Sequence, residues 1–171
     1  MSTITTTKTV PAGSWSADPV HSHVSFEVAY AGTNTFRGGF ADYTAGVDAG
    51  VLTGSAKVAS VDVKDEQLNG HLQTPDFFDA ERFPEISFRT SDLASGELTI
   101  KGVTRPVTIS ASVSEPNVDP FGRERVGVTL EATVDRNEYA ISWNAPNQGG
   151  GNYLGDDVTI KAELALIKQE A

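Results

Sequence analysis

The feature that most constrains this chain is an alternation of apolar and polar residues with a period of two. In residues 21–30 (HSHVSFEVAY), the apolar residues Val24, Phe26, Val28 and Tyr30 alternate with polar ones. Successive side chains of a β-strand point to opposite faces, so this pattern predicts a strand with one apolar face. The same pattern recurs in about eight segments along the chain, joined mostly by short turns. The sequence therefore predicts an all-β protein.

One-sided alternation is typical of antiparallel sheets and argues against a parallel sheet that is covered by helices on both faces. Such strands can close either as a sandwich or as an up-and-down barrel. An eight-stranded barrel either fills its interior with side chains or holds one small ligand. Periodicity does not choose between these structures.

One segment breaks the alternation. Leu68 and Leu72 are four residues apart, which predicts a short helix near residues 65–74, and Pro75 ends it. Three phenylalanines follow: Phe77, Phe78 and Phe83. Aromatic residues in a short connection are core plugs in one interpretation. In the other they cap the barrel and form part of a ligand tunnel, and both interpretations can hold together.

Composition narrows the function classes. The chain has 13 basic and 23 acidic residues, a net charge of −10. This charge repels phosphate backbones and anionic lipids, so we expect no nucleic acid partner and no electrostatic docking on membranes. No apolar run approaches the length that spans a bilayer, so membrane insertion is not expected. The absence of cysteine excludes disulfides, zinc–thiolate sites and thiol nucleophiles.

The 171 residues fit one domain. Residues 1–12 are rich in threonine and lack periodicity, which predicts a flexible N-terminal arm before a domain at 13–171. The N-terminus also lacks the basic and apolar regions of a signal peptide, so the expected location is cytoplasmic. An exposed sheet edge or the glycine-rich loop at 147–155 would allow a homodimer.

Several segments carry a resemblance to a known family. The stretch DPVHSHVSFEVAYAGTNTFRGGF has an acidic residue, His-Ser, an alternating strand and a turn leading to Gly-x-Phe. HLQTPDFFDAERFPEISFRT, GELTIKGVTRPVTI, VDRNEYAI and LGDDVTI follow in order. From about Trp15 to Ile167 the chain resembles the YceI-like family.

The resemblance implies a single antiparallel, lipocalin-like, eight-stranded β-barrel with an elongated apolar interior. It also implies non-enzymatic binding, transport or storage of a polyisoprenoid, a quinone-like lipid or a fatty chain, with no cofactor apart from that ligand. Relatives often carry a second histidine where this chain has Tyr30. The polar head of the ligand is therefore expected to be recognised differently, by Tyr30 or by a mouth residue such as Asn144.

The histidines suggest rival functions. His21 and His23 project on the same face of a strand, but a metal site needs a third ligand and only His71 remains. We therefore expect no metal and interpret both as polar hydrogen-bonding residues. No Gly-x-Ser-x-Gly elbow or phosphate loop is present, so no catalytic residue is predicted. The alternatives are an enzyme or redox accessory acting on a prenylated quinone through His21, His23 or His71, and a filled barrel that acts as an interaction module.

The predicted ligand-binding residues are the apolar side chains of the strands, the short helix and the aromatic segment. They are Val24, Phe26, Val28, Tyr30, Phe40, Leu68, Leu72, Phe77, Phe78, Phe83, Phe88 and Trp143. Burying one methylene contributes about 0.8 kcal/mol, so ~12 such groups contribute roughly 10 kcal/mol before the costs of association. A long-chain ligand would thus need no charged anchor.

Overall fold

The expected all-β fold is confirmed. The structure, a computed structural model, describes residues 4–5, 9–146, 148 and 150–169. The strands are β1 (Ile4–Thr5), β2 (Trp15–Ala17), β3 (His23–Tyr30), β4 (Asn34–Phe40), β5 (Tyr43–Asp48), β6 (Val51–Lys57), β7 (Val61–Asp62), β8 (Glu85–Thr90), β9 (Ser95–Ile100), β10 (Val103–Thr108), β11 (Ser110–Ser114), β12 (Asn117–Val118), β13 (Glu124–Asp135) and β14 (Leu154–Lys168). The helices are the α-helix α1 (Glu66–Leu72) and the 3₁₀ turns η1 (Val58–Ser60) and η2 (Arg136–Tyr139).

The described residues form fourteen strand segments rather than the predicted eight. Part of the difference arises because two longer stretches are interrupted, and part because β1, β2 and β12 are separate segments of two or three residues. Only η1 separates β6 from β7, and a single residue, Ile109, separates β10 from β11. The amide of Ile109 donates to Ala94 O instead of joining a ladder (3.0 Å). Apolar alternation marks extended chain but does not show where the ladder changes partner.

The long strand β14 organises the sheet, in which all ladders are antiparallel. One edge pairs with β13 from Asp157 to Ile167. The other edge pairs with β3 over most of its length and with β2 at its C-terminal end. Two branches therefore leave this edge, β3–β4–β7 and β2–β5–β6–β8–β9–β10. The sheet is not strictly closed, because in the described ladders β10 pairs with β9 whereas β11 pairs with β13 and β1.

The branch point is fixed by hydrogen bonds to one residue of β14. The amide of Asp18 donates to Ala165 O (2.8 Å), and the amide of Ala165 donates to Ser22 Oγ (2.9 Å). These bonds let residues 18–22 leave the sheet between β2 and β3 without unpaired backbone at Ala165. The neighbouring Leu164 and Leu166 are buried in the core, at 4% and 0% exposure.

The predicted short helix is present as α1. The Asp65 carboxylate accepts from the amides of Gln67 (2.8 Å) and Leu68 (3.3 Å), which satisfies the free N–H groups of the first turn. Its seven residues make one apolar stripe, with Leu72 buried and Leu68 half-buried. Within the part of the chain that the structure describes, no helix is long and apolar enough to span a bilayer.

The predicted arm at residues 1–12 is described only in part, since residues 1–3 and 6–8 lie outside the described residues. Ile4 and Thr5 pair with Ser114 and Val113 of β11. Val10 is buried in the core. These contacts attach two parts of the segment to the sheet, and flexibility of the remainder stays a prediction.

A charge network ties the branch point to the β12–β13 hairpin. The Asp18 carboxylate accepts from His21 Nδ1 (2.7 Å) and from Arg125 Nη1 (3.1 Å). Arg125 Nε also contacts Asp119 Oδ2 (2.7 Å). Hydrogen bonds from His21, from the Val20 amide and from Arg125 lower the pKa of Asp18 from 3.8 to about 2. Arg125 holds the pKa of Asp119 well below its usual range.

Acid should weaken this network. Because the folded pKa of Asp18 lies below its ordinary value of 3.8, its contribution to stability is complete above that value and is lost as the pH falls toward 2. Asp18→Asn should therefore lower the free energy of unfolding at neutral pH and reduce its decline between about pH 4 and pH 2. Urea unfolding at a series of pH values measures both effects.

The matched control is Asp62→Asn, which changes an exposed aspartate that forms no ion pair with the described residues. It should retain the wild-type dependence on pH. An equally steep decline in Asp18→Asn and wild type would contradict the role given to Asp18.

Candidate functional site

An apolar cavity of about 400 Å³ opens into the protein, between β3, β4, α1, the segment after α1, η2 and the first half of β14. This volume is within the range of small-molecule sites. Ten of the predicted residues line it: Val24, Phe26, Val28, Tyr30, Phe40, Leu68, Leu72, Phe77, Phe78 and Trp143. The structure thus brings them to one surface, while their binding of a ligand stays a prediction.

One wall is a cluster of phenylalanine rings from two strands and a loop. The ring centre of Phe26 lies 5.7 Å from Phe40 and 6.4 Å from Phe78, and Phe40 lies 5.9 Å from Phe78. Gly38 of β4 makes room for this cluster, because a Cβ at that position would lie 2.6 Å from Phe26 Cζ. Any larger residue there would have to move the ring of Phe26.

A second wall surrounds His71, which sequence reasoning did not place in the ligand site. Its ring packs edge-on against Trp143 (4.9 Å) and Phe77 (5.0 Å), and its Nε2 lies 3.1 Å from Asp76 Oδ2. Trp143 was expected on a strand, but it lies in the connection between η2 and β14. That connection has no regular period, so its assignment to a strand was wrong.

Two predicted residues lie outside the cavity wall. Phe83 packs on Gly102 in the β9–β10 turn, where a Cβ would lie 2.6 Å from Phe83 Cε1, and the Arg82 guanidinium lies over its ring at 5.2 Å. Gly102 has a left-handed φ of 76°, as a tight hairpin requires. Phe88 lines a second cavity of about 110 Å³. The two cavities share five wall residues: Val24, Ala56, Ile86, Leu98 and Ile160.

The predicted head-group residues differ in their availability. Tyr30 is 42% exposed and its ring lies 5.5 Å from that of Tyr153, so both rings stand at the mouth. The Asn144 amide is already engaged: its Nδ2 donates to Leu154 O, and its Oδ1 accepts from the amides of Leu154 and Ala145. Asn144 therefore holds the loop against β14 and is not among the residues of the cavity wall.

Two polar residues of η2 line the cavity and were not predicted. Arg136 is 5% exposed and donates to the carbonyls of Gly155 (2.8 Å), Ile141 (2.9 Å) and Trp143 (2.8 Å). Tyr139 is 1% exposed and its burial raises the pKa of its hydroxyl. A 3₁₀ turn of four residues leaves no periodic signal in the sequence.

The three histidines do not converge. His21 hydrogen-bonds to Asp18, whose amide donates to Ala165 O of β14. His71 packs on Trp143. Arg136 donates both to the carbonyl of Trp143 and to that of Gly155, so His71 lies near Gly155 of β14. These two points of β14 are roughly 30 Å apart along an extended strand. His23 begins β3 opposite Glu163 and is exposed. Among the described residues, no group of three or more histidines and carboxylates is placed to hold a metal ion.

Comparison with known proteins agrees with this architecture. The family model of the YceI-like domain matches residues 15–166. A UPF0312 protein of Staphylococcus aureus (strain N315) is 28% identical over 165 residues, which cover 90% of this chain and 96% of that protein.

Two solved structures share the fold. A domain from Saccharophagus degradans, described as a polyisoprenoid binding domain, superimposes with a TM-score of 0.74 at 14% identity, over 91% of this chain and 98% of that one. Burkholderia cenocepacia BcnA superimposes with a TM-score of 0.70 at 20% identity, over 87% and 98%.

The two tryptophans offer a probe of the cavity. Trp143 lines it, whereas Trp15 is buried elsewhere and its indole N–H donates to Ala12 O (2.9 Å). We expect farnesol, a long uncharged alcohol, to shift the emission of wild type and of Trp15→Phe to shorter wavelengths, because it replaces water beside Trp143. Fluorescence titration of Trp143→Phe should show no shift. A shift of wild-type size in Trp143→Phe would place the added chain elsewhere.

Proposed function

We propose that this chain, which belongs to the YceI-like domain family, binds a long-chain apolar molecule in the cavity lined by Phe26, Phe78 and Trp143 and serves as its carrier or store. The observation that carries the proposal is a preformed cavity with an almost wholly apolar wall. A polyisoprenoid or quinone-like chain is the ligand class proposed. The Saccharophagus degradans domain, described as polyisoprenoid binding, supports that class.

The size of the cavity suits a chain rather than a small ring. An apolar cavity of 150 Å³ accepts benzene, so about 400 Å³ accommodates roughly 16 carbon atoms. At about 0.8 kcal/mol for each methylene, burying such a chain contributes roughly 13 kcal/mol before association costs. Micromolar affinity needs about 8 kcal/mol net. The gross contribution of the apolar wall exceeds this requirement by about 5 kcal/mol, which is the association cost that it can offset without a polar anchor.

A binding role fits the polar groups better than catalysis does. His71 is the one histidine that lines the cavity among the described residues, and its Nε2 is paired with Asp76. The rings of Phe77 and Trp143 enclose it on two sides. His21 and His23 lie outside the wall, so His71 is the one of the three histidines considered for acid–base chemistry that lies at the cavity. We therefore propose a non-enzymatic function.

Organic extraction tests the proposal directly. Protein purified from its own host in the absence of detergent should release a long-chain lipid in about one copy per chain, which mass spectrometry of the extract identifies. An extract without such a lipid, together with no uptake of added prenyl chains, would contradict the proposal.

Partly filling the cavity should weaken binding. Leu68 projects from α1 into the cavity wall, so Leu68→Trp should displace several carbon atoms of the chain and raise the Kd at least about tenfold, at ~0.8 kcal/mol for each methylene. Gln67→Trp places the same ring on the exposed side of α1 and should bind as wild type. Retention of radiolabelled farnesol after gel filtration measures both variants, and the melting temperature reports folding. Equal retention by Leu68→Trp and Gln67→Trp would place the ligand outside the cavity.

A further inference from the structure

The small cavity of about 110 Å³ lies deeper in the protein than the large cavity of about 400 Å³. Along β14, Leu154 lines the large cavity, Ile160 lines both, and Leu164 lines the small one. Tyr30, which stands at the mouth, pairs with Leu154. Leu154 and Leu164 are roughly 30 Å apart along an extended strand. The two cavities therefore follow one another along β14, from the mouth inward.

Five apolar residues form the boundary between the cavities, because each of them lines both. Val24 of β3 and Ile160 of β14 come from one part of the sheet, where their strands pair directly. Ala56 of β6, Ile86 of β8 and Leu98 of β9 come from another part, in which Ala56 pairs with Ile86. The boundary consists of aliphatic side chains, so it can open by rotation between staggered rotamers without breaking a side-chain hydrogen bond.

Beyond the small cavity the interior is filled with side chains. Leu52 and Leu164 belong to the wall of the small cavity and are 1% and 4% exposed. The next inward residue of β14 is Leu166, which is fully buried and lines neither cavity. It belongs to the core together with Trp15 and Val128. An apolar chain that enters from the mouth therefore has to end at the small cavity.

The two volumes correspond to a definite length of chain. On the scale of benzene in an apolar cavity of 150 Å³, the large cavity accommodates roughly 16 carbon atoms and the small cavity roughly 4. A farnesyl chain, of three isoprene units, fits into the large cavity alone. A geranylgeranyl chain, of four units, needs the small cavity for its last unit.

We propose that Ile86, Leu98 and Ile160 select the chain length of the ligand. The terminal isoprene unit of a four-unit chain passes between these side chains into the small cavity, and any further unit stays outside the mouth. This inference rests on the proposed function and adds the size class of the ligand and the residues that set it. The wall of the small cavity is almost wholly apolar, so a terminal hydrocarbon unit supplies the dispersion contacts that its lining atoms otherwise lack.

A competition between farnesol and geranylgeraniol tests the inference. The two alcohols are offered together, and the bound ratio is measured by mass spectrometry after gel filtration. Comparison of variants cancels the different solubilities of the two chains. Ala162→Leu places three more carbon atoms in the small cavity, because Ala162 lines that cavity alone. We expect it to lower the geranylgeraniol-to-farnesol ratio at least about tenfold, at roughly fourfold for each methylene that loses its place.

The matched control is Ala29→Leu, which makes the same enlargement at an exposed position of β3 that lines neither cavity. It should keep the wild-type ratio. The melting temperature reports the folding of each variant, and Ala132→Leu fills the small cavity from β13 if Ala162→Leu does not fold. Ala132→Leu should lower the ratio in the same direction as Ala162→Leu.

Two further measurements test the boundary and the limit of length. Ile86→Ala removes bulk where the cavities meet and should raise the ratio at least about fourfold, the value of one more buried methylene. Geranylfarnesol, the homologue with five isoprene units, should bind wild type no more tightly than geranylgeraniol, because the interior has no room for its additional unit.

The outcomes separate this inference from the proposed function. If wild type binds neither farnesol nor geranylgeraniol, the proposed function fails and this inference falls with it. If both alcohols bind and the variants that fill the small cavity keep the wild-type ratio, the large cavity holds chains but their ends do not enter the small one. An unchanged ratio in Ile86→Ala, tighter binding of geranylfarnesol, or an equal loss in Ala29→Leu would also overturn the inference.

Discussion

The two-sided pairing of β14 is the constraint on which the rest of the structure depends. One edge carries β13, and the other carries both β2 and β3, so one strand fixes the register of three others. Val158 and Ile160 thereby come opposite Val28 and Phe26 on one side and Val134 and Ala132 on the other. Apolar side chains from three strands are thus presented to the same interior, and the cavity wall follows from this register.

The cavity stays open because the branches that leave β14 are not filled with matching side chains. The α1 segment covers this region with Leu68, Leu72 and Phe78 rather than with another strand. A helix and a loop pack less regularly against a sheet than a second sheet does. Bends at η1 and Ile109 also interrupt the ladders, so the sheet curves without closing strictly.

The sequence predicted the parts of the structure that repeat. Alternation placed Val24, Phe26 and Val28 on one face, and the spacing of Leu68 and Leu72 located α1 within a few residues. Phe36 has the same phase as Phe40 and lines the cavity, so the signal for it was present. Alternation alone, however, marks an apolar face and does not tell whether that face is packed or hollow.

Residues in single turns could not be predicted in this way. Phe83 belongs to the aromatic segment in the sequence, but its ring packs on Gly102 in the β9–β10 turn. Trp143, Arg136 and Tyr139 reach the cavity through η2 and the connection after it, where no period links one residue to the next. Their positions depend on long-range hydrogen bonds from Arg136 to Gly155 and from Lys101 to Ala140.

The η2 turn combines stabilising contacts with one local cost to stability. Arg136 stabilises the connection to β14 through three carbonyls, and Tyr139 of the same turn has a buried hydroxyl that no described residue accepts from. A filled core would favour phenylalanine at that position, because an unpaired buried hydroxyl costs free energy. The combination of a rigid anchor and an unpaired donor therefore distinguishes this part of the wall from ordinary core packing.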